Sequence, residues 1–359
     1  MDVLNPELMW IGQRCYRVNI PDLNRTNQQE TRRINYEEED FECEMEIGEE
    51  DFYEIETVDN GRKFQLKVHV PQLFHSQIIG TKGNTKRRLE QETGASILVP
   101  KIGSKDTNVI VKGNTRKEVI SAKARLDQIM IAGRAKQQFT HFLSVPFITE
   151  EIKGNFEKFR TEILNDPDIH GLDISYFQKP EKLHLTLVML VLLDNEDRAI
   201  ASEFLQDCRE FIVDPILQNQ TLNVQLAGLD YMNDDPSAVN VLYGKVSNDS
   251  LQAIANGLAS YFADRGLIQL KQDNVKMHVT LINSKFANND DAVENNDHHS
   301  AGQKNNNQFT RKTFDASQIL KKYKDYYFGS LKVEEIHLSQ RFSQASNGFY
   351  EATSVLKLK

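Results

Sequence analysis

The sequence lacks a long hydrophobic run, which excludes a membrane-spanning helix. No stretch of its 359 residues reaches the roughly 18 consecutive apolar side chains that a helix needs to cross a bilayer. The N-terminal residues also lack a basic segment followed by an apolar core and a small-residue cleavage site, the pattern of a secretory signal. We therefore expect a protein that is not secreted and has no membrane partner.

Cysteine is scarce as well. The three cysteines, Cys15, Cys43 and Cys208, share no spacing typical of a metal or redox site. A secreted protein of this size normally contains more cysteines, paired in disulfides. The sequence thus indicates a reducing, intracellular compartment, and it predicts neither a metal nor another cofactor.

Charge is unevenly distributed along the chain. Residues 1–63 contain seven Lys and Arg against 17 Asp and Glu, whereas residues 64–131 contain 12 Lys and Arg against five Asp and Glu. A basic region of this kind is where we expect a polyanion to bind. Charge alone also predicts an inhibitory contact in which the acidic segment covers the basic one.

Residues 1–63 are predicted to form an acidic, mostly disordered tail. The run from Asn35 to Glu56 has too many carboxylates to collapse, although aromatic residues such as Phe41 and Phe52 interrupt it. Such segments often fold on a partner, but a tail that keeps the protein soluble, or one that itself activates transcription, has the same composition. The first 20 residues, which contain the single tryptophan, Trp10, are interpreted as a docking segment.

Residues 64–133 have the pattern of a small compact domain. Strand-type alternation starts at Phe64, and two short helical segments follow, joined by the sequence Gly-Thr-Lys-Gly at positions 80–83. Two further strands and a closing helix complete the order β-α-α-β-β-α. A short linker is predicted at residues 133–138.

The Gly-Thr-Lys-Gly turn is suited to binding a nucleic-acid backbone. Glycines allow a close approach of the two chains, and the amides that begin the next helix attract phosphates. In this element order the turn resembles that of a type I KH domain, whose loop clamps about four nucleotides of single-stranded RNA. One departure is Lys86, at a position where the family usually has an aliphatic residue. The predicted RNA-binding residues are Ile78, Ile79, Gly80, Thr81, Lys82, Gly83, Lys86, Arg87 and Arg88.

A plainer interpretation of the same turn is also open. A corner between two core helices with a solvated basic face would produce a similar local sequence. The charge of the whole segment favours the KH interpretation over this one.

Residues 138–359 alternate strands and helices, and they contain one motif twice. Lys, an apolar residue, His, an apolar residue, Thr and Leu occur at residues 182–187 and again at residues 276–281. The duplication predicts an α+β domain of two similar lobes. A polar, low-complexity segment at about residues 287–309 is predicted to be a mobile surface loop.

The duplicated motif predicts a catalytic pair. Residues two apart on a strand share a face, so His184 lies with Thr186 and His278 lies with Thr280, while Leu183, Leu185, Met277 and Val279 face the buried side. If the lobes bring the strands together, one His removes a proton from the attacking oxygen and the other protonates the leaving oxygen of a phosphodiester. The Thr hydroxyls would hold the phosphate oxygens.

The motif has two other interpretations, and a third histidine lies in a similar pattern. One copy alone would more often be a buried core histidine, but two copies of one pattern favour function. A zinc site would need three or four ligands at matching spacing, which the sequence does not show. His337, with Ser339 two places on, is interpreted as a structural neighbour or a wall of the cleft.

The paired His-x-Thr strands resemble those of the two-histidine phosphoesterase superfamily. The resemblance implies metal-independent cleavage of RNA or of its 2′,3′-cyclic phosphate ends, with a catalytically silent nucleotide- or RNA-binding scaffold as the alternative. The full order of tail, KH domain and phosphoesterase domain resembles a family of subunits of a helicase-containing transcription-coactivator complex. That resemblance implies a nuclear protein involved in alkylation-damage repair. Its partners would be the helicase and other subunits, with the tail as the docking segment.

Overall fold

The computed structural model divides the chain into two compact units, Met1–Glu56 and Thr57–Lys359. The structure describes residues 8–11, 14–17, 54–101, 103–104, 108–268, 274–288 and 312–358. Within these ranges, no helix is both long enough and apolar enough to cross a membrane.

The first unit contains a short antiparallel ladder. Its strands are Leu8–Ile11 (β1) and Arg14–Arg17 (β2), with Trp10 opposite Cys15. The sequence predicted a docking segment here and no strands, because the stretch is too short to build a core. Backbone hydrogen bonds between two strands do not require one. The disorder predicted for the rest of the tail falls mostly on residues 18–53, outside the described residues.

A four-stranded sheet with three helices follows. Its strands are Glu56–Val58 (β3), Lys63–His69 (β4), Ser96–Leu98 (β5) and Asn108–Gly113 (β6), in the order β3-β4-β6-β5. Its helices are Gln72–Ile79 (α1), Asn84–Thr93 (α2) and Arg116–Arg134 (α3). From β4 onward the order is β-α-α-β-β-α, so the predicted KH fold is confirmed.

The N-terminal boundary of this domain differs from the prediction. Strand β3 and the turn after it lie inside the segment that was predicted as tail, so the predicted end of the tail at residue 63 is wrong. The turn uses Asp59, Asn60 and Gly61, all with left-handed φ angles of 54°, 58° and 82°. Asn-Gly is a strong hairpin signal, and it was missed in the acidic background.

Helices α1 and α3 close the core of the KH domain. Phe74 and Ile78, one turn apart on α1, are fully buried. Helix α3 begins at a reciprocal cap, because the Thr115 hydroxyl accepts a hydrogen bond from Glu118 N at 3.2 Å while the Glu118 carboxylate accepts one from Asn114 N at 2.7 Å. This cap fixes where α3 starts and therefore where its long body lies on the sheet.

The remainder of the described chain forms one eight-stranded sheet. Its strands are His141–Pro146 (β7), His184–Leu190 (β8), Leu222–Tyr231 (β9), Val241–Val246 (β10), His278–Asn283 (β11), Tyr327–Val333 (β12), Glu335–Gln340 (β13) and Ala352–Lys357 (β14). Neighbouring strands are antiparallel, in the order β12-β9-β10-β11-β8-β7-β13-β14. Two halves of four strands each meet where β11 pairs with β8, which agrees with the predicted α+β class and its two lobes.

Helices cover one face of this sheet. They are Glu150–Asn165 (α4), Asn195–Cys208 (α5), Asp214–Leu217 (α6), Asp249–Asp264 (α7) and Ser317–Tyr323 (α8), with a π-helical turn, Arg209–Val213, between α5 and α6. Helices α4, α5 and α7 pack on β12, β14 and β8. On α4, Ile152, Phe156 and Phe159 recur at helical spacing and are fully buried. The opposite face of the sheet is left for the polar residues of β8 and β11.

Several local predictions for this region need correction. The stretch 331–342, whose sequence is typical of one continuous strand, is divided between β12 and β13 at Glu334, and α8 has no counterpart in the sequence analysis. The predicted linker at 133–138 begins inside α3, because Gly133 and Arg134 are its last residues and both are buried. The predicted loop at about 287–309 starts in a 3-10 turn, Phe286–Asn288, and its remainder lies outside the described residues.

Candidate active site and nucleic-acid interface

The two His-x-Thr strands are neighbours at the centre of the sheet. Strands β8 and β11 are antiparallel with Val279 opposite Leu185. Counting outward from that pair puts His184 beside Thr280 and His278 beside Thr186. Directly opposed residues on antiparallel strands have Cβ atoms about 5 Å apart. His184 and His278 are 94 positions apart along the chain, and the pairing of β8 with β11 brings them close together.

Strand alternation puts the predicted residues on one face. His184, Thr186, His278 and Thr280 are half-buried. Leu183, Leu185 and Val279, which point the other way, are fully buried against the helices. Met277 was predicted to be buried with them but is only half-buried, since it lies just before the first residue of β11.

Each of the two imidazoles is held by a backbone carbonyl two residues earlier. His184 Nδ1 lies 2.7 Å from Lys182 O, and His278 Nδ1 lies 2.8 Å from Lys276 O. A carbonyl only accepts hydrogen bonds, so Nδ1 carries the proton in both rings. The neutral tautomer therefore leaves each Nε2 with a free lone pair for proton transfer.

Each lysine of the motif also contacts a tyrosine that packs against the same imidazole. Lys182 Nζ lies 4.7 Å from the ring centroid of Tyr350, whose ring lies 5.3 Å from that of His184. Lys276 Nζ lies 4.8 Å from the ring centroid of Tyr243, whose ring lies 5.4 Å from that of His278. Two equivalent Lys–Tyr–His groups therefore flank the centre of the sheet.

Sequence analysis missed both tyrosines. Tyr243 lies on β10, beside β11, and Tyr350 lies just before β14, which is an edge strand of the sheet. Neither is part of the repeated motif, and neither has a spacing that would connect it with a histidine. Only the fold brings them together.

Burial sets the protonation of the two histidines. Burial lowers the pKa of His184 to about 4, and the charges of His278 and Lys182 act in the same direction against the opposing effect of the carbonyl hydrogen bond. Burial also lowers the pKa of His278. Both rings are therefore neutral at pH 7 in the free protein. A bound phosphate group, being anionic, would raise both pKa values.

The aromatic surroundings of His184 account for its burial. Its ring lies 5.0 Å from that of Phe142 and 6.3 Å from that of Phe349. These residues come from β7 and from the segment before β14. His184 is thus more enclosed than His278, and the two halves of the site are similar without being identical.

Two other histidines of the eight-stranded sheet, His337 and His141, do not join the pair. His337 lies on β13, where Nε2 is 3.0 Å from Glu335 Oε2 and the ring packs on Phe349. His141 is buried, with Nδ1 2.9 Å from the Thr140 hydroxyl, and burial lowers its pKa to about 4. Neither contacts a lysine in the manner of His184 and His278. The pair His298-His299 lies outside the described residues.

The Gly-Thr-Lys-Gly turn forms one tight 3-10 turn, Thr81–Gly83, between α1 and α2. Gly80 and Gly83 have φ angles of 68° and 76°, and Lys82 between them also has a left-handed φ of 54°. At Gly80 a Cβ atom would collide with the Thr85 side chain, so glycine is required there for two reasons. Thr81 and Lys82 are exposed at the tip of the turn.

The predicted RNA-binding residues fall into accessible and inaccessible groups. Ile78 is fully buried in the core, so its predicted contact with RNA is wrong, while Ile79 is half-buried beside the turn. Lys86 lies 3.6 Å from Glu90 and is half-buried. Arg87 and Arg88 are exposed, and Arg87 Nη2 donates to Lys82 O at 2.5 Å, which stiffens the turn. The basic surface is therefore made by the turn and by the first half of α2.

A buried charge cluster, which sequence analysis missed, joins the KH domain to the eight-stranded domain. Arg134, at the end of α3, donates to both carboxylate oxygens of Asp197 on α5 at 2.7 and 2.8 Å, and to Val191 O at 2.5 Å. On the KH side His69, at the end of β4, lies 3.0 Å from Glu196 and 3.3 Å from Asp194. These residues come from three separate segments, so no sequence spacing revealed them.

Hydrogen bonding and charge set protonation in this cluster. Burial lowers the pKa of His69, but the hydrogen bond to Asp197 and the nearby carboxylates outweigh it, so the pKa is raised. Burial raises the pKa of Asp197, but hydrogen bonds from His69 and Arg134 outweigh it and hold the pKa far below its ordinary value. Ligand atoms of His69, Asp194 and Asp197 lie within 4.8 Å of one another, a grouping able to hold a cation. The guanidinium of Arg134 already occupies both Asp197 oxygens, so a cation would have to compete with it.

The chain matches two protein families over adjacent segments. Residues 65–128 match the KH domain, and residues 139–358 match the family described as AKAP7 2'5' RNA ligase-like domain. Among solved structures, a protein of Thermus thermophilus is 16% identical over 61% of this chain and 97% of its own, with a TM-score of 0.40. E. coli LigT is 15% identical over 62% of this chain and 96% of its own, with a TM-score of 0.34.

One curated relative matches over nearly the whole length. The mouse protein called activating signal cointegrator 1 complex subunit 1 is 36% identical over 356 residues, which are 98% of each chain. Both the KH and the 2'5' RNA ligase-like segments lie within this alignment length. The chain therefore belongs to the family of activating signal cointegrator 1 complex subunit 1, with a KH domain followed by an AKAP7 2'5' RNA ligase-like domain.

Proposed function

We propose that this chain binds single-stranded RNA and cleaves phosphodiester bonds in RNA or at its 2′,3′-cyclic phosphate ends, using His184 and His278 without a metal. One observation carries the proposal. Two imidazoles on paired strands have Nδ1 tied to a carbonyl, so each presents a free Nε2 on the same face of the sheet. That arrangement supports one base and one acid on opposite sides of a phosphate.

The two imidazoles account for every proton that moves in the cleavage step. One imidazole takes the proton of the 2′-hydroxyl at Nε2 while the 2′-oxygen attacks phosphorus. The other gives its proton to the departing 5′-oxygen, and the products are a 2′,3′-cyclic phosphate and a 5′-hydroxyl. Thr186 and Thr280 donate hydrogen bonds to the non-bridging oxygens. The phosphate anion supplies the rise in pKa that the acid needs, since both rings are neutral in the free protein.

RNA capture by the KH turn supports the same function. Thr81 and Lys82 are exposed at a turn whose glycines permit close approach, and Arg88 on α2 adds positive charge beside it. The turn would hold the backbone of the strand whose end reaches the histidines. An affinity that falls steeply with salt would agree with this.

The proposal is tested with pure protein and two kinds of substrate. Single-stranded RNA oligonucleotides and nucleoside 2′,3′-cyclic phosphates are incubated with the protein, with and without EDTA. We expect product in both cases, and equal rates with the chelator. The absence of product from every substrate would overturn the enzymatic proposal, and activity that disappears in EDTA would overturn its metal-independent chemistry.

A catalytically silent RNA-binding scaffold is the second candidate. The lowered pKa values favour it, because the free protein has no protonated imidazole at neutral pH to act as the acid. In this case the same four side chains would bind a phosphate or an RNA end and release it unchanged. Tight binding without product in the experiment above would support the scaffold.

The 36% identity to the mouse subunit supports a place in a corresponding complex. We propose that the partners are its helicase and other subunits, that the N-terminal tail docks to them, and that the site of action is the nucleus, in transcription coactivation and alkylation-damage repair. Purification of the tagged full chain from its own cells, beside a chain lacking residues 1–53, tests this. Loss of the helicase from the shortened chain alone is expected, and equal recovery of it by both chains would overturn docking through the tail.

A further inference from the structure

A cavity of about 460 Å³ opens directly beside the candidate active site. Thr186 of β8 and His278 of β11 form one end of it. Many of its other lining residues are aliphatic and come from β8, from α7 and from either side of the segment 269–273. Volumes of this size are typical of sites for small organic ligands. A ligand in the cavity would therefore contact Thr186 and His278 of the two-histidine site directly.

The end of the KH domain also lines the cavity. Arg134 and Ala135 at the end of α3, and then Gln137, line the cavity together with Phe139. The first three lie between the two segments that match known families, residues 65–128 and 139–358. The cavity is therefore a property of the joined chain and of neither domain alone.

This wall is held rigidly in place. The Arg134 guanidinium is bound by the Asp197 carboxylate and by the Val191 carbonyl, both in the eight-stranded domain. A buried charge with all these partners does not move freely. The cavity is thus preformed, which lowers the ordering cost of binding a ligand there.

Two polar or aromatic side chains at the wall remain available to a ligand. The ring of Phe139 is 45% exposed, enough for a flat ring to stack on it. Gln137 is half-buried, and its side-chain amide makes no hydrogen bond within the described residues. An amide offers a donor and an acceptor side by side, the combination that pairs with the edge of a nucleobase.

We infer that this cavity binds the nucleobase of the nucleotide whose phosphate lies at His278 and Thr186, so that the end of the KH domain forms part of the substrate site. The inference rests on the proposed binding of phosphate by the two histidines. Aliphatic walls exclude water around the base, Phe139 stacks on it and Gln137 reads its edge. The Lys276 ammonium, also on the rim, favours an anionic ligand over a neutral peptide side chain.

The test uses two phosphomonoesters that contain no bond for the protein to cleave. One is adenosine 2′-monophosphate, and the other is the same phosphate on 1-O-methylribose, which lacks the base. Affinities for the full chain are measured by calorimetry, with Ala135→Trp and Ala132→Trp as the matched variants. Both alanines are exposed near the end of α3, but only Ala135 lines the cavity. We expect Ala135→Trp to fill the cavity and Ala132→Trp, at a position that does not line it, to leave it open.

We expect the wild-type chain to bind the adenosine ligand at least tenfold more tightly than the base-free one. Ala135→Trp should abolish that difference and leave the affinity for the base-free phosphate unchanged, and Ala132→Trp should retain the difference. Equal wild-type affinities, or the same loss in both variants, would overturn the inference. Binding of neither probe would overturn the phosphate site itself. Catalysis is tested by the turnover of RNA and of cyclic phosphates, which does not depend on these two affinities.

Discussion

The lysine in the repeated motif has two separable functions at the residue scale. Its backbone carbonyl fixes the imidazole tautomer, which any amino acid would do equally well. Its ammonium lies over a tyrosine that packs on the same imidazole, as Lys182 does with Tyr350. Only the second function needs a cation, and both copies of the motif supply one, Lys182 and Lys276.

His184→Asn and His278→Asn should each lower turnover by at least about 100-fold. Either change removes one proton-transfer group, and general acid–base catalysis contributes about 10²- to 10⁴-fold. Initial rates on a nucleoside 2′,3′-cyclic phosphate measure the effect, and the unfolding transition verifies the fold. His337→Asn is the matched control, because His337 lies on the same sheet but bonds to Glu335. Equal losses in all three variants would contradict the roles assigned here.

Lys276→Met should raise the pKa of His278. The positive charge of Lys276 contributes to the lowered pKa of this histidine, while the backbone carbonyl that holds Nδ1 is retained in the variant. The imidazole resonances, titrated by NMR in the full chain, report the shift. Lys321→Met, on α8, is the control and should leave His278 unchanged. A downward shift in Lys276→Met would show that desolvation by the tyrosine, and not charge, dominates.

At the scale of elements, much of the fold could be predicted from periodicity and turn chemistry. Both His-x-Thr strands and the six elements of the KH domain were predicted, because each has a clear two- or 3.6-residue repeat between turn signals. The misses have physical causes. The β1–β2 ladder depends on backbone pairing, and β3 was hidden by an acidic background. Glu334 divides two strands without a glycine or proline to mark the break.

The candidate site was predictable only in part for a related reason. The repeated motif gave four of its residues, since duplication is visible in a single sequence. Tyr243, Tyr350 and Phe142 were missed because strand order decides which side chains meet, and strand order is not local information. Ile78 was assigned to RNA by its proximity to the turn, although its helical spacing from Phe74 points it into the core.

The KH turn should lose RNA affinity when its charge is reversed. Lys82→Asp replaces an exposed cation with an anion at the tip of the turn, and Asp tolerates the left-handed backbone found there. We expect a loss of roughly tenfold in affinity for single-stranded RNA and a weaker salt dependence. Fluorescence anisotropy at several salt concentrations measures both.

The control for this change is Lys117→Asp, at another exposed lysine, which lies at the start of α3. It alters the net charge of the domain by the same amount. Only a general electrostatic attraction would make the two variants weaken binding equally, and that result would remove the turn from the binding site.

At the scale of the whole molecule, Arg134 connects two domains that sequence analysis separated by a linker. Arg134→Met leaves the Asp197 carboxylate buried without its cation, which costs about 3–5 kcal/mol of unfolding free energy. Denaturant unfolding measures the loss. Adding Asp197→Asn should restore part of the stability, because the uncompensated charge is then gone.

Lys322→Met is the control for this change. It breaks an exposed ion pair with Asp166 and should cost far less unfolding free energy. Equal effects of the Arg134 and Lys322 variants would contradict the buried contact.

His69 at the junction of the two domains and His141 in the eight-stranded sheet should make the free energy of unfolding depend on pH in opposite directions. His69 has a raised pKa, so its stabilising contribution is complete below the ordinary value of 6.5 and is lost as pH rises through the folded pKa. His141, with a pKa lowered to about 4, contributes above 6.5, and that contribution is lost as pH falls toward 4. His69→Gln should therefore be more destabilising at pH 5.5 than at pH 8.5, whereas His141→Gln should be relatively more stable at pH 5.5. Unfolding free energies of both variants at the two pH values, each relative to wild type, decide this. Two differences that move in the same direction would show that His69 is not paired with the carboxylates across the junction.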